Sequence, residues 1–371
     1  MAAWKLLGVM PNVRVCSAVD AGFLAIVPRD DPRVPDALEA SAAKALVERV
    51  VDSFNHPIEP SLILLAESHS QIDLSALVAL RNAIALASVC DAWANWIEFS
   101  GGIGGGTRWS DYFDICPWLC SRDGTELTAF GPELHANIQK PDNYRGTTSP
   151  SFDSTKLTRH SMDISFLHAI LRVWKRTFVA RKESPKSRRL FRSLEVAHQA
   201  ARVPFTLDYR MYEVGIRLSL WVSAVETLFN PKKANAHEIV DHLKNLPWVL
   251  QSHRKARYYL PSRKRKADVD YGRVTLPQKL YGELFRLRNN FLHGNRIVPT
   301  RLHAFADVRR RPYLAIAPVL YRTFVMVYLN QYAQCRNLES ASLGRFFKIQ
   351  GIHGPFEKAL QTAVKCSEDS E

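Results

Sequence analysis

The sequence has few cysteines and no cysteine framework. The six cysteines among its 371 residues follow no regular spacing, and Cys116 and Cys120 have no second pair with which to complete a zinc site. Free thiols in a reducing compartment are the simpler interpretation of such a pattern. We therefore expect a cytoplasmic protein that needs neither a metal nor another cofactor.

Long apolar runs free of charge are also missing. The apolar stretch at the start is too short for a secretion signal, because Pro11 and Arg14 interrupt the residues after it. A longer apolar stretch, from Leu77 to Ile97, contains Arg81 and Asp91. We predict that it is a buried helix rather than a membrane span, and we expect no membrane association.

Several catalytic signatures are absent. The glycine-rich residues 101–106 follow a predicted helix rather than a strand and lack a Gly-Lys-Ser/Thr continuation, so they predict a flexible loop and not a phosphate-binding loop. His237 and His242 are five positions apart rather than the four of a helical zinc-protease site. No serine-hydrolase elbow, dinucleotide fingerprint, internal repeat or clear helix-turn-helix signal is evident. These absences argue against four common classes of enzyme and against a helix-turn-helix regulator.

Positive charge is abundant, and it is clustered. The chain has 50 Lys and Arg against 36 Asp and Glu, a net charge of +14. Basic runs interleaved with aromatic residues suit a phosphate backbone and stacked bases. The predicted nucleic-acid-binding residues are Arg254, Lys255, Arg257, Tyr258, Tyr259, Arg263, Lys264, Arg265, Lys266, Arg309, Arg310 and Arg311. The alternative is that these are solvated basic loops that aid solubility.

One predicted helix ends in residues that suit phosphate chemistry. The stretch Leu284–Gly294 places Arg288, Asn289 and His293 near the end of a strongly patterned helix. Arginine grips a phosphate with a fixed fork of donors, and histidine moves a proton near neutral pH. We take these three as candidate catalytic residues for phosphodiester cleavage without a metal. The alternative is that Arg288 forms a surface ion pair and that His293 merely ends the helix.

The same helix carries two apolar strips. At about 100° per residue, one face forms an ordinary core strip. Its members are Leu280, Leu284, Leu287 and Phe291. The second strip consists of Tyr281, Phe285 and Leu292. Since a helix with two strips packs against two bodies, we predict a symmetric homodimer with the second strip at its interface and two motifs facing each other across a shared groove.

An apolar stretch upstream, Arg217–Phe229, is apolar around most of a helical circumference and predicts a central helix. Glu226 is then a carboxylate in mostly apolar surroundings, where it needs a partner. One interpretation is a structural salt bridge or cap that holds the bundle together. The other interpretation is that Glu226 orients Arg288 or His293. In both interpretations Glu226 supports other side chains.

These residues resemble a known family. Arg288 and His293 match the R-x4-H motif of HEPN-domain proteins, and the "small-x-Glu-x-Leu-Phe" phrase ending at Phe229 is similar to that of Apea-like HEPN proteins. The resemblance covers roughly residues 186–338. It implies a helical bundle and a metal-independent endoribonuclease, a toxin or antiviral-defence effector whose dimer forms a composite site and cleaves RNA through its 2′-OH.

The resemblance leaves a second possibility open. Many HEPN domains lack activity, so the alternative is a non-catalytic HEPN dimer that acts as a nucleic-acid-binding, regulatory or assembly module. In the catalytic interpretation His293 is the general acid or base, Arg288 stabilises charge on the phosphate, and Asn289 positions the RNA or the other two side chains. An exposed His293 favours catalysis, and a packed one favours the binding module.

The predicted fold class is mainly α. We expect a mixed α/β N-terminal domain at residues 1–140, with strands at Phe23–Val27 and Ser61–Leu65, and a polar linker at 141–161. A HEPN-like helical domain follows at 162–345, then a C-terminal tail at 346–371. By analogy with multidomain HEPN proteins, the N-terminal domain senses a trigger or a regulatory partner.

Overall fold

The computed structural model describes residues 3–10, 15, 17–48, 59–69, 73–98, 117–121, 123–130, 135–138, 162–202, 211–229, 236–243, 250–260, 272–334 and 354–365. The predicted linker, the glycine-rich residues 101–106 and the basic residues Arg263, Lys264, Arg265 and Lys266 lie outside these ranges. The chain divides into two compact units. The first comprises Met1–Ser88 and Gly105–Ser184, and the second comprises Val89–Gly104 and Pro185–Glu371.

The first unit is built on an antiparallel sheet. Within the described ranges, the strands are β1 Trp4–Met10, β2 Val19–Asp20, β3 Leu24–Val27, β4 Ser61–Ala66, β5 Trp118–Cys120, β6 Leu127–Phe130 and β7 His135–Ile138, in the order β2-β3-β4-β1-β5-β6-β7. Every residue of β3 and β4 is buried. That explains their unbroken apolar sequences, since a strand covered on both faces has no solvent side. Both predicted strands are confirmed.

Four helices accompany this sheet in the described sequence. They are α1 Val34–Glu39, α2 Lys44–Val47, α3 Leu74–Glu98 and α4 Ile164–Trp174, and α4 continues as a π-helical turn over Lys175–Val179. The residues of α3 from Val89 onward belong to the second unit. The indole N–H of Trp174 donates to the carbonyl oxygen of Ala76 at 2.9 Å, and its ring lies 5.4 Å from that of Phe23. These contacts hold residues 162–184 in the first unit, so the boundary predicted at residue 162 falls too early.

Helix α3 contains the apolar stretch Leu77–Ile97. Among the described helices it alone is both long and apolar enough to cross a membrane, and 78% of its most apolar window is buried inside the structure. Burial of that extent is typical of a core helix, which is what the interrupting Arg81 and Asp91 predict.

The second unit is mainly helical. Its described helices are α5 Pro185–Arg202, α6 Met211–Phe229, α7 Ala236–His242, α8 Gln251–Arg254, α9 Leu276–Leu292, α10 Tyr313–Gln334 and α11 Gly354–Ala363. Strands β8 Tyr258–Tyr259 and β9 Arg273–Val274 form an antiparallel pair just before α9. Helix α6 packs against α5, α9 and α10, which confirms that it is central. The described part of the chain is therefore rich in helix, and its larger sheet is antiparallel.

The predicted C-terminal tail contains a packed helix. Helix α11 buries Phe356, Ala359 and Leu360, and it contacts α10. The backbone N–H of Arg311 donates to the carbonyl oxygen of Ala363 at 3.0 Å. Residues 354–365 therefore belong to the second unit, and the apolar period of α11 was the signal that the sequence interpretation missed.

Candidate active site at the end of helix α9

Helix α9 positions the three motif residues. It begins with a capping box, in which the Thr275 backbone N–H donates to Oε1 of Gln278 at 2.9 Å. It ends with a Schellman motif. Gly294, at φ +64°, donates to the carbonyl oxygen of Phe291 at 3.2 Å, and Asn295 donates to that of Asn290 at 2.9 Å. Arg288 and Asn289 thus lie in the last turns, and His293 is the C-cap residue.

The side chain of Arg288 is held by three groups. Its Nη2 donates to Oε2 of Glu226 on α6, and its Nη1 donates to Oδ1 of Asn289 at 2.9 Å. The guanidinium carbon lies 5.1 Å from the ring centroid of Phe285. The side chains of Arg288 and Glu226 are 12% and 19% exposed. The structure therefore joins Glu226 to Arg288, and Asn289 holds the same guanidinium.

The electrostatics of this pair are set mainly by burial. Burial raises the pKa of Glu226 above its ordinary value of 4.5, although the attraction of Arg288 and its hydrogen bond act in the opposite direction. In the described part of the chain, Oε1 of Glu226 and Nε of Arg288 have no hydrogen-bond partner. The pair consequently sits in an apolar setting that only partly satisfies its polar atoms.

His293 has a different environment. It is exposed, and its backbone N–H donates to the carbonyl oxygen of Asn289 at 3.0 Å. Among the described residues, its ring has no hydrogen-bond or ion-pair partner. Since five helical positions correspond to a rotation of about 140°, Arg288 and His293 point away from each other around α9. A single chain therefore presents an accessible histidine and a separate, largely covered arginine.

The proposed dimer strip needs correction. Tyr281 is completely buried and packs its ring 4.7 Å from that of Phe324 on α10, and Phe285 is only 7% exposed. These two side chains are part of the core of their own chain, so the prediction that places them at an interface is wrong. Leu292, at 61% exposure, is the member of the strip that remains accessible.

Helix α6, which packs against α9, carries two further exposed apolar side chains. Tyr212 and Ile216 on α6 are 75% and 36% exposed. Between them, Gly215 lies against the ring of Phe291, the neighbour of Leu292 in α9. We call Tyr212, Ile216 and Leu292 the apolar patch. The sequence signal for its first two members is their spacing of one helical turn, which the interpretation of α6 as a wholly central helix obscured.

The two predicted basic runs meet in the structure. Tyr258 stacks on Phe305 at 5.6 Å between ring centroids, and the guanidinium carbon of Arg310 lies 4.8 Å from the same ring. The ammonium nitrogen of Lys279 on α9 lies 5.9 Å from the centroid of the Phe305 ring. Phe305 is thus the residue that joins the runs, and the sequence interpretation did not single it out.

The individual basic residues differ in accessibility. Arg254, Lys255, Arg257 and Tyr259 are exposed. Arg309 is 63% exposed and forms an ion pair with Asp307, as does the less exposed Arg310. Arg311 lies over the ring of Trp96 at 5.2 Å, and burial lowers its pKa, so it is packed rather than free to bind a ligand.

These basic residues do not surround Arg288. Lys279, which contacts their cluster, and Arg288 are nine positions apart, a rotation that places them on opposite sides of α9. The same calculation places Lys279 within about 40° of His293. The basic cluster therefore lies on the side of α9 that carries His293 and not on the side that carries Arg288.

Comparisons with known proteins add no relative. In the described ranges, no group of three or more His, Cys, Asp or Glu side chains is arranged to hold a metal ion. A scan against protein-family models and searches of curated proteins and of solved structures found no match to this chain. The HEPN resemblance accordingly stays a prediction from the residues themselves, and the function must be argued from the site.

Proposed function

We propose that this protein is a metal-independent endoribonuclease of the HEPN type. The observation that carries the proposal is the exposed His293 at the end of α9, a helix whose largely covered Arg288 is held in place by a carboxylate. In this mechanism His293 acts as general acid or base while the ribose 2′-OH attacks the adjacent phosphorus. The products are a 2′,3′-cyclic phosphate and a 5′-hydroxyl, and DNA is not cut because it lacks the nucleophile.

Arg288 stabilises the charge that develops on the phosphate oxygens in this scheme. Glu226 and Asn289 act through it, because both bond to its guanidinium and fix its direction. In this mechanism Asn289 therefore positions Arg288. The structure of one chain supports this role better than direct contact of Asn289 with RNA.

The proposed enzyme is a homodimer. Within one chain, Arg288 and His293 diverge around α9 by about 140°, so one phosphate does not meet both residues of the same copy in this arrangement. A second copy docked on the apolar patch brings another His293 close to the first, because Leu292 precedes it in the chain. We further propose a cytoplasmic toxin or defence effector whose first unit responds to a trigger or regulatory partner.

A non-catalytic dimer is the second candidate. It is favoured by the arginine itself, since Arg288 is only 12% exposed and already has Glu226 and Asn289 as partners. In that case the pair is a structural clamp between α6 and α9, and the exposed basic side chains bind nucleic acid without cutting it.

The deciding experiment is incubation of the purified full-length protein with mixed cellular RNA in EDTA. His293→Ala is compared with His168→Ala, a matched change of an exposed histidine in the first unit. Cleavage by the wild type and His168→Ala, loss with His293→Ala, and cyclic-phosphate ends are the expected results. Equal cleavage by both variants contradicts the assignment. Nucleic-acid binding without any cleavage in all three proteins favours the non-catalytic dimer.

A further inference from the structure

The β8–β9 hairpin has one face that packs and one that faces solvent. In the register of this antiparallel pair, Tyr258 lies opposite Val274, and Tyr259 lies opposite Arg273. Val274 is 3% exposed, whereas Tyr259 is 58% exposed and Arg273 is also exposed. Since successive side chains of a strand alternate between faces, Tyr259 and Arg273 share the outer face. Exposed Arg257 lies two residues before Tyr259, and we call these three residues the hairpin face.

The hairpin is anchored firmly on its inner side. Tyr258 stacks on Phe305. Leu260, which follows β8, is buried so closely against α9 that a Cβ atom on Gly282 would lie 2.5 Å from it. The ammonium of Lys279 donates to the carbonyl oxygen of Tyr259 at 2.8 Å. The exposed ring of Tyr259 therefore projects from a backbone that α9 fixes.

The anchor includes unusual backbone. Phe305 and Ala306 both adopt positive φ, at 55° and 56°, although neither is glycine. Such residues persist only where surrounding contacts hold them, and they concentrate at functional sites. Here the ring of Phe305 contacts Tyr258 and Arg310, and its N–H donates to Oε2 of Glu283 at 3.4 Å. The strain is thus stored in the element that holds the hairpin.

Among the described residues that immediately precede the hairpin, the exposed charges are positive. Arg254 and Lys255 are exposed in the preceding residues. Of the nearby carboxylates, Asp307 is paired with Arg309 and Arg310, and Glu283 is paired with Lys279 at 2.7 Å. Proteins bind a single strand with exposed aromatic rings and nearby cations, because the ring stacks on a base while the cations neutralise phosphates.

We propose that the hairpin face binds single-stranded RNA, with one base stacked on Tyr259 and neighbouring phosphates on Arg257 and Arg273. The identity of the ligand as RNA rests on the proposed nuclease function, but binding at this face does not require cleavage. Tyr258 supports the site from within and does not stack on RNA. Arg273 is a new assignment, since it is remote from the basic run in sequence and only the strand register brings it beside Tyr259.

The test measures the affinity of the full-length protein for a fluorescent single-stranded 2′-O-methyl oligonucleotide, which 2′-OH attack cannot cleave. Tyr259→Ala is expected to weaken binding at least about fivefold, from the contribution of one stacked base. Tyr259→Phe keeps the ring and is expected to stay within about twofold of the wild type. Arg273→Gln is expected to lower the slope of log affinity against log salt by about 0.7, the value for one phosphate contact on a single strand.

Lys182→Ala, a change of an exposed cation in the first unit, is the control and is expected to leave both quantities unchanged. Equal affinities of the wild type and Tyr259→Ala overturn the proposal, as does tighter binding to anionic lipid vesicles than to the oligonucleotide. Weakened binding with Tyr259→Ala in a protein that cleaves no RNA upholds the hairpin face and rejects the nuclease. If Tyr259→Ala changes neither the affinity nor the cleavage of RNA, the hairpin face is rejected and the nuclease is upheld.

Discussion

Glu226 of α6 bonds to Arg288 of α9 across 62 residues of sequence. The carboxylate is 19% exposed and the guanidinium is 12% exposed, so both charges lose much of their hydration. For Glu226 this loss of hydration outweighs the attraction of Arg288, because the pKa of the carboxyl is raised in spite of its cationic partner. The pair therefore costs stability as a buried charge while it fixes the direction of Arg288.

Replacing the carboxylate of Glu226 distinguishes its positioning of Arg288 from a contribution to the stability of the fold. We expect Glu226→Gln to lower kcat at least about tenfold with little change in KM, because Arg288 loses a charged partner that directs it. The free energy of unfolding should change by about 1 kcal/mol or less, since the amide removes the buried charge but leaves Arg288 with a weaker partner. Glu238→Gln, a change of an exposed carboxylate on α7, is the control. A fall in stability of several kcal/mol with normal kcat would show a purely structural pair.

The same variant predicts a pH dependence. Because the pKa of Glu226 is raised above 4.5, the folded chain binds this proton more tightly than the unfolded chain. The stability of the wild type relative to Glu226→Gln is therefore greatest below pH 4.5 and falls as the pH rises through the folded-state pKa. Urea unfolding of both proteins at a series of pH values measures the difference. A difference that grows in favour of the wild type with rising pH would contradict this assignment.

Gly215 permits the close approach of α6 and α9. A Cβ atom there would lie 2.5 Å and 2.7 Å from two carbons of the Phe291 ring. Gly215→Ala gains about 1 kcal/mol of helix propensity, but displacing the ring costs about 1–3 kcal/mol. We expect a net loss of about 1 kcal/mol and reduced cleavage, since the displaced residue lies two positions before His293. Gly354→Ala, where nothing lies within 4 Å of the added atom, should be neutral or stabilising in thermal unfolding.

Gly294 ends α9 in the left-handed region, at φ +64°. Gly294→Ala should destabilise the protein by about 1 kcal/mol, because an alanine pays the left-handed penalty or gives up the Schellman bonds. Cleavage should fall too, as the turn that carries His293 frays. Gly294→Asn is the matched variant, since asparagine tolerates this conformation, and it should retain most of the stability and activity. Identical behaviour of both variants in unfolding and cleavage assays would rule out a backbone cause.

The apolar patch predicts how two copies meet. Leu292→Glu should convert a dimer into a monomer, because it places a charge in a contact that must exclude water. Light scattering coupled to size-exclusion chromatography measures the mass directly. Val308→Glu alters a side chain of similar exposure, 58% against 61%, outside the patch and should leave the dimer intact. A monomeric wild type, or a Leu292→Glu dimer, would reject the patch as the interface.

Much of the local structure could be predicted from the sequence. The apolar period indicated α6 and α9, and the apolar runs indicated β3 and β4. Each of these signals depends on neighbouring residues, whose geometry follows from the period of the helix or strand. The need of Glu226 for a partner also followed from its apolar surroundings, but the choice between Arg288 and His293 did not.

The failures share a cause in long-range packing. Tyr281 and Phe285 formed a second apolar strip on α9, and the sequence could not show that Phe324 of α10 covers it. The basic runs gave no hint that Phe305 joins them on the side of α9 opposite Arg288. The helical period fixes the direction of a side chain, but residues far away in sequence decide which groups lie in that direction.

Three features followed from the amino-acid sequence, since composition and short-range periodicity are local properties: the helix that carries Arg288, Asn289 and His293, the strongly basic charge, and the apolar surroundings of Glu226. Three others depend on the packing of distant segments: Glu226 holds Arg288, His293 stays exposed, and Arg273 joins Tyr259 on one face. Those outcomes depend on helix crossings and strand register, which the burial of the whole core selects.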